Sequence, residues 1–267
     1  MHYPLPTLTS RAALIRKEST SPPEQIINWP DTRFVPDLGI DDIHLWCAWL
    51  DDPGNDPTWM TEILSEDERA RADRLRYTGD RRHFVVARAI LRNLLSRYLN
   101  LDPEHLRFAY GPAGKPYLAH PIAMEPLSFN LAHSGAIALY AISRHERIGV
   151  DVELVRPVGE LLPIADLFFT PEDAALLGSL GELRRRDRFF QLWTRREAVG
   201  KAVGIGLTES TLSMEVSRSR EPAPPERDSN SSWNHWTLID LKPAPEYVGA
   251  LAIERPSRSL HCWRWYV

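Results

Sequence analysis

From Val150 to Leu154 the chain alternates: Val150, Val152 and Leu154 share one parity, Asp151 and Glu153 the other. On a strand this sets two carboxylates side by side over an apolar reverse face. Farther along, Trp193, Glu197 and Lys201 recur four residues apart. That is helical spacing, and it offers a third carboxylate and an ammonium on one face, next to an aromatic wall. Neighbouring anions repel, so a chain that keeps them together usually has a cation to put there. Three carboxylates and a lysine point to Mg²⁺ holding a phosphorylated substrate, because Mg²⁺ takes hard oxygen ligands and fills its remaining positions with water or phosphate oxygens. No thiolate or histidine cluster competes for a softer metal. The plainer alternative is a solvated strand edge, since acidic–apolar alternation alone is common.

The composition is that of a soluble chain: 267 residues, 43% hydrophobic and 25% charged, enough for one large domain or two small ones. The nine tryptophans are scattered and read as core or ligand-wall residues. A net charge of −4 disfavours a nucleic-acid partner. Cys47 and Cys262 make no disulfide framework and suggest a reducing, cytoplasmic setting. The first residues lack the apolar run of a signal peptide, and no stretch approaches the roughly 18 apolar residues of a spanning helix. No membrane partner is expected.

Residues 1–37 read as an N-terminal extension, broken by Ser21-Pro22-Pro23-Glu24 and Trp29-Pro30. A strand is expected over Ile43–Leu50, ended by the turn at Asp51–Asn55. Ser65 with Glu68 forms a capping box for a helix through Arg76, and a longer helix with an apolar stripe runs from Asp80 to Leu99. Strands are expected at 106–110, 127–131, 136–143 and 148–154, with His133-Ser134-Gly135 at a turn. Thr170-Pro171 opens another helix, and a long helix at 186–203 ends on Gly204. The stretch 217–232 reads as an exposed loop, followed by strands at 233–241, 247–253 and 260–267. Each half thus holds a long helix and several strands, and His44–Trp49 faintly echoes Leu260–Trp265.

Four segments, in order, resemble the motifs of the 4′-phosphopantetheinyl transferases of the larger, two-lobed Sfp type. They are Gly114-Lys115-Pro116, Phe129-Asn130-Leu131-Ala132-His133-Ser134-Gly135, Gly149–Glu153 and Trp193–Lys201. The resemblance covers about residues 40 to 215. It implies an α+β fold of two similar lobes, an intramolecular pseudo-dimer with 38–146 as first lobe and 147–267 as second, and the cofactor cleft between them. It implies transfer of the phosphopantetheine arm of coenzyme A to a serine of an acyl, peptidyl or aryl carrier protein, with Mg²⁺ or alternatively Mn²⁺, releasing adenosine 3′,5′-bisphosphate. The enzyme is expected to be a monomer.

The resemblance also implies roles. Asp151, Glu153 and Glu197 hold the metal, and Glu197 doubles as general base toward the carrier serine. Lys201 binds the pyrophosphate and offsets leaving-group charge. Arg71, Arg82, Lys115, His133 and Ser134 contact coenzyme A, as do Asp151 and Lys201. Other readings stay open: Lys201 as an i,i+4 partner of Glu197, Lys115 as a plain turn lysine, His133 as a strand cap, and the arginines of the 69–92 run as a solvated face. Leu161, Leu162, Ile164, Phe168 and Phe169 read either as carrier-docking contacts or as second-lobe core. Two departures from the family pattern bear on substrate affinity: Ala132 replaces a serine, and Arg196 a lysine. The rival functions are a Mg²⁺-dependent phosphodiesterase or nuclease, and a binding module without turnover.

Overall fold

The computed structural model describes residues 28–32, 34–119, 127–144, 147–204, 236–254 and 259–266. In chain order the elements are β1 (Asp31–Thr32), β2 (Asp42–Trp49), α1 (Pro57–Glu62), α2 (Glu66–Asp73), α3 (Thr78–Leu99), β3 (Phe108–Tyr110), β4 (Pro116–Leu118), β5 (Ser128–Ser134), β6 (Ile137–Ser143) and β7 (Ile148–Leu154). There follow α4 (Leu161–Phe168), α5 (Pro171–Ser179), α6 (Glu182–Val203), β8 (Thr237–Leu241), β9 (Tyr247–Ile253) and β10 (Ser259–Trp265).

The fold is mixed α+β, with a five-stranded sheet ordered β1-β10-β2-β6-β5, a three-stranded sheet ordered β7-β9-β8 and a β3–β4 hairpin. Strands β2, β6 and β9 are apolar at almost every position, which suits strands covered on both faces. One face of the larger sheet places Trp46 and Tyr140 against Ile90 and Leu94 of α3. Its other face places Leu45 and Leu139 against Val150 and Leu251 of the smaller sheet. Beyond that, Val248 and Ala250 pack against Leu192 and Ala198 of α6. The layers therefore run helix, sheet, sheet, helix.

The faint echo between the chain ends has a physical basis. Strands β2 and β10 lie side by side and parallel, with His44 opposite His261 and Trp46 opposite Trp263. Their rings pack across the pair, Trp46 on Trp263 at 5.1 Å and His44 edge-on to His261 at 5.6 Å. Within the expected extension, Asp31 and Thr32 pair with Arg264 and Trp265 at the sheet edge.

Most expected elements are present, with shifted ends. Helix α1 was not anticipated, although Asp56 caps it through Thr58 and Pro57 sits at its first turn. The capped helix at Ser65 stops at Asp73 instead of Arg76, because Tyr77 is extended and starts α3 as its N-cap. His133 and Ser134 end β5, and the turn falls on Gly135 and Ala136. The apolar run after β7 is helical, as α4. The loop expected at 217–232 and the Ser21–Glu24 break lie outside the described residues.

Candidate active site

Strand β7 carries the site, and Gly149 decides how closely α6 approaches it. A Cβ at Gly149 would stand 2.0 Å from the Ala198 carbonyl oxygen and 2.5 Å from the Ala202 nitrogen. Without a side chain the helix backbone lies directly on the strand, which any larger residue would push away. Val150 and Val152 fill the inter-sheet core. By alternation Asp151 and Glu153 then share the Gly149 face, toward Glu197 and Lys201 of α6.

The strand is not a solvated edge: Asp151 is 4% exposed and its valine neighbours are fully covered. Lys201 Nζ donates to Asp151 Oδ1 at 2.6 Å, so the partner of the lysine is the strand aspartate and not Glu197 one turn away. Glu153 Oε2 accepts from the Ser134 hydroxyl at 2.7 Å. Burial pushes the Asp151 carboxyl above its ordinary range, with Lys201 pulling it down and Glu153 and Glu197 adding repulsion. Burial likewise raises Glu197, again opposed by Lys201 and reinforced by Glu153.

These mutual influences make the three carboxylates electrostatic neighbours. Among the described residues, however, no three His, Cys, Asp or Glu side chains are arranged so as to hold a metal ion. In this arrangement the Lys201 ammonium neutralises Asp151, and the Ser134 hydroxyl holds Glu153. The donor set still suits a divalent cation. Asp151 Oδ2 is buried with no hydrogen-bond partner, a costly state for a carboxylate oxygen. One ammonium also leaves three carboxylates short of neutrality. All the donors are oxygens, the preference of Mg²⁺ and Mn²⁺.

The other predicted site residues fall into two groups. His133 presents surface to solvent near the cluster. The protein packed around it, and then His83 and Lys201, hold its imidazole below the ordinary value. His83 and Arg82, at the start of α3, both face Asp51, at 2.9 and 3.6 Å. Arg71 is exposed at the end of α2, its guanidinium over the Phe84 ring. Lys115 and Ser134 face protein. Lys115 Nζ donates to the carbonyls of Ile148 (2.9 Å) and Ala202 (3.3 Å), the start of β7 and the last turn of α6. Burial and Arg147 push its ammonium pKa down to about 8.

Several expectations change. Arg88 and Arg92 of the basic run are neither solvated nor free for phosphate, because both bind Glu68 in the protein interior. Trp193 is no open wall: it stacks on Phe189 and meets Phe168 edge-on. The run Leu161, Leu162, Ile164, Phe168 and Phe169 joins the core around α6, the second of the two readings given for it. Ala132 lies in the inter-sheet core, where a hydroxyl has no phosphate to meet. Arg196 is fully buried and donates to the Phe168 carbonyl at the end of α4, a helix-end contact in place of a substrate contact.

Two residues escaped the sequence reading. Asn130 Oδ1 accepts the Val150 N–H at 2.8 Å, and the Tyr247 hydroxyl accepts the Ala136 N–H at 3.1 Å. A polar residue inside an apolar strand was the available signal for Asn130; Tyr247 offered none.

A family model described as the 4′-phosphopantetheinyl transferase superfamily matches residues 147–252, and one for the N-terminal part of 4′-phosphopantetheinyl transferase matches 53–145. The chain is similar to the 4′-phosphopantetheinyl transferase HetI of Nostoc sp., 36% identical over 80% of this chain and 88% of that protein. It is also similar to the 4′-phosphopantetheinyl transferase psf-1 of Bacillus pumilus, 26% identical over 76% of this chain and 84% of the relative. A third is the L-aminoadipate-semialdehyde dehydrogenase-phosphopantetheinyl transferase of Rattus norvegicus, 24% identical over 80% of this chain and 74% of that one. With the strand aspartate, the helix glutamate and the lysine gathered where β7 meets α6, the chain belongs to the 4′-phosphopantetheinyl transferase superfamily, in its Sfp-type group.

Proposed function

We propose that this enzyme moves the 4′-phosphopantetheine group of coenzyme A onto a serine hydroxyl of an acyl, peptidyl or aryl carrier protein, depends on Mg²⁺ or Mn²⁺, and releases adenosine 3′,5′-bisphosphate. The observation that carries this reading is the pair of half-buried Lys201 with buried Asp151, with Glu153 and Glu197 beside it, in a chain of this family. Asp151, Glu153 and Glu197 are the residues that would hold the metal. When bound, the ion supplies Lewis-acid stabilisation of pyrophosphate charge, worth several kcal/mol.

The chain's own residues do the rest by positioning and proton handling. Lys201 meets the pyrophosphate and offsets charge on the leaving group. His133, with Arg82 and Arg71 farther out, presents cationic or hydrogen-bonding groups to the phosphates. Glu197 takes the proton from the carrier serine as its oxygen bonds to phosphorus and the P–O bond to adenosine bisphosphate breaks. Its raised pKa brings it nearer neutral pH, where a general base works best.

In this reading 38–146 and 147–267 are two lobes with coenzyme A in the cleft between them, β10 crossing to the first lobe's sheet, and the enzyme acts as a cytoplasmic monomer. The test is mass spectrometry of an apo carrier protein incubated with coenzyme A, Mg²⁺ and enzyme. The carrier gains one phosphopantetheine, chelator abolishes the gain, and Glu197→Gln slows it about 10²–10⁴-fold. An unmodified carrier across a panel of all three carrier types would refute the reading.

A further inference from the structure

Strands β5 and β7 are edges of different sheets, and they meet without a backbone ladder. Side chains join them instead. Asn130 Oδ1 accepts the Val150 N–H at 2.8 Å, and Ser134 Oγ accepts the Leu154 N–H at 3.2 Å. The two acceptors are four residues apart on β5 and the two donors four apart on β7, so the strands are clipped at two points in matching step. A serine hydroxyl has one proton and two lone pairs. At Ser134 the lone pair serves the strand backbone and the proton serves Glu153 Oε2, at 2.7 Å.

The turn that carries Ser134 is itself held. Gly135 has φ +53, and a Cβ there would lie 2.6 Å from the Tyr247 hydroxyl, which accepts the next N–H. Tyr247 belongs to β9, the strand paired with β7. The Ser134 hydroxyl is therefore fixed relative to β7 from two sides, and it fixes one oxygen of Glu153. Glu153 repels Asp151 and Glu197, so an untethered side chain is driven outward, away from them.

We propose that Ser134 is a positioning residue that aims Glu153 at the metal, and not a ligand of the coenzyme A phosphates. This rests on the carboxylate–metal reading above. Hydrogen bonds to a ligating carboxylate set its direction, and losing one typically weakens metal binding about 10–100-fold.

The test is Mn²⁺ binding by the full chain with coenzyme A present, read from the electron-spin signal of free Mn²⁺. It is paired with the coenzyme A KM at saturating Mg²⁺. Ser134→Ala weakens Mn²⁺ binding about tenfold or more and leaves that KM unchanged. Ser134→Thr, which keeps the hydroxyl, restores binding. Ser134→Cys, a weak donor of similar size, repeats the loss and serves if the alanine variant does not fold. Wild-type Mn²⁺ affinity in the alanine and cysteine variants, or a raised KM with unchanged metal affinity, overturns the proposal. Glu153→Gln separates the two levels: if it loses Mn²⁺ while Ser134→Ala does not, only the serine's role falls. If Glu153→Gln binds Mn²⁺ as wild type does, the metal reading falls as well.

Discussion

Lys201 and Asp151 form a pair whose partners cannot be removed one at a time without penalty. Asp151 is 4% exposed, and its second oxygen already lacks a partner. Lys201→Ala leaves a buried carboxylate with no neutralising group, a change that typically costs about 3–5 kcal/mol. Adding Asp151→Ala removes the orphan. Chemical denaturation is therefore expected to show the double variant more stable than Lys201→Ala alone, with a coupling of about 0.5–3 kcal/mol. Additive losses would mean that the 2.6 Å contact contributes nothing to the fold. Under the proposed reaction both variants are expected to lose transfer activity, so stability is the informative readout. At this scale the sequence was legible where spacing alone assigns a face, as for Asp151, Glu153, Glu197 and Lys201. It was not legible for Lys115 and Ser134. Their residue types suit phosphate, and only the closeness of β7, set by the missing side chain at Gly149 and by the β5 edge, turns them toward protein.

Helix α2 is held by one side chain with two duties. Glu68 Oε2 accepts the Ser65 N–H at 3.0 Å, closing the cap, and the same carboxylate binds Arg88 and Arg92 of α3. The capping box was readable from Ser65-x-x-Glu68, because it involves only neighbours in the chain. The arginine pair was not, because an arginine four residues from another on a long helix reads equally well as a solvated face. Burial, which the sequence does not print, separates the two: Arg88 is 5% exposed and Arg92 not at all. Glu68→Ala is expected to destabilise the α2–α3 corner, losing the cap and leaving two buried guanidinium groups without their carboxylate. The loss is about 3–5 kcal/mol, on the scale of breaking a buried pair, visible as a large drop in Tm. Glu66→Ala, two residues earlier in the same first turn and exposed, provides the comparison and moves Tm little. Equal shifts in the two variants would remove Glu68 from this role.

The layering of helix, sheet, sheet and helix depends on pairings between distant parts of the chain, which local periodicity does not encode. Individual strands were legible from their alternation or apolar runs, but not that β10 inserts between β1 and β2. The closure of the molecule by its last strand places His44 in a ring cluster with Tyr98 of α3, His261 and Trp263 of β10 and Trp46 of its own strand. His44 Nδ1 lies 2.7 Å from the Tyr98 hydroxyl, which also accepts the Trp46 indole N–H. Burial first, and then the His261 charge, push the His44 pKa down to about 4, against a smaller opposing pull from Asp42. The folded protein thus resists a proton that the unfolded chain accepts near the ordinary pKa of 6.5. Above that pH both states are neutral and the cluster's contribution is complete. As pH falls from 6.5 toward 4 the unfolded state alone binds the proton, and stability declines by up to about 1.4 kcal/mol per pH unit. Below pH 4 both states are charged and this loss levels off. Urea midpoints measured across pH 7 to 4 are expected to fall along this course in the wild type. His44→Gln, which cannot titrate, falls less steeply over the same window even though it starts lower. Parallel slopes in the two proteins would show that the seam between the chain ends is not what acid opens first.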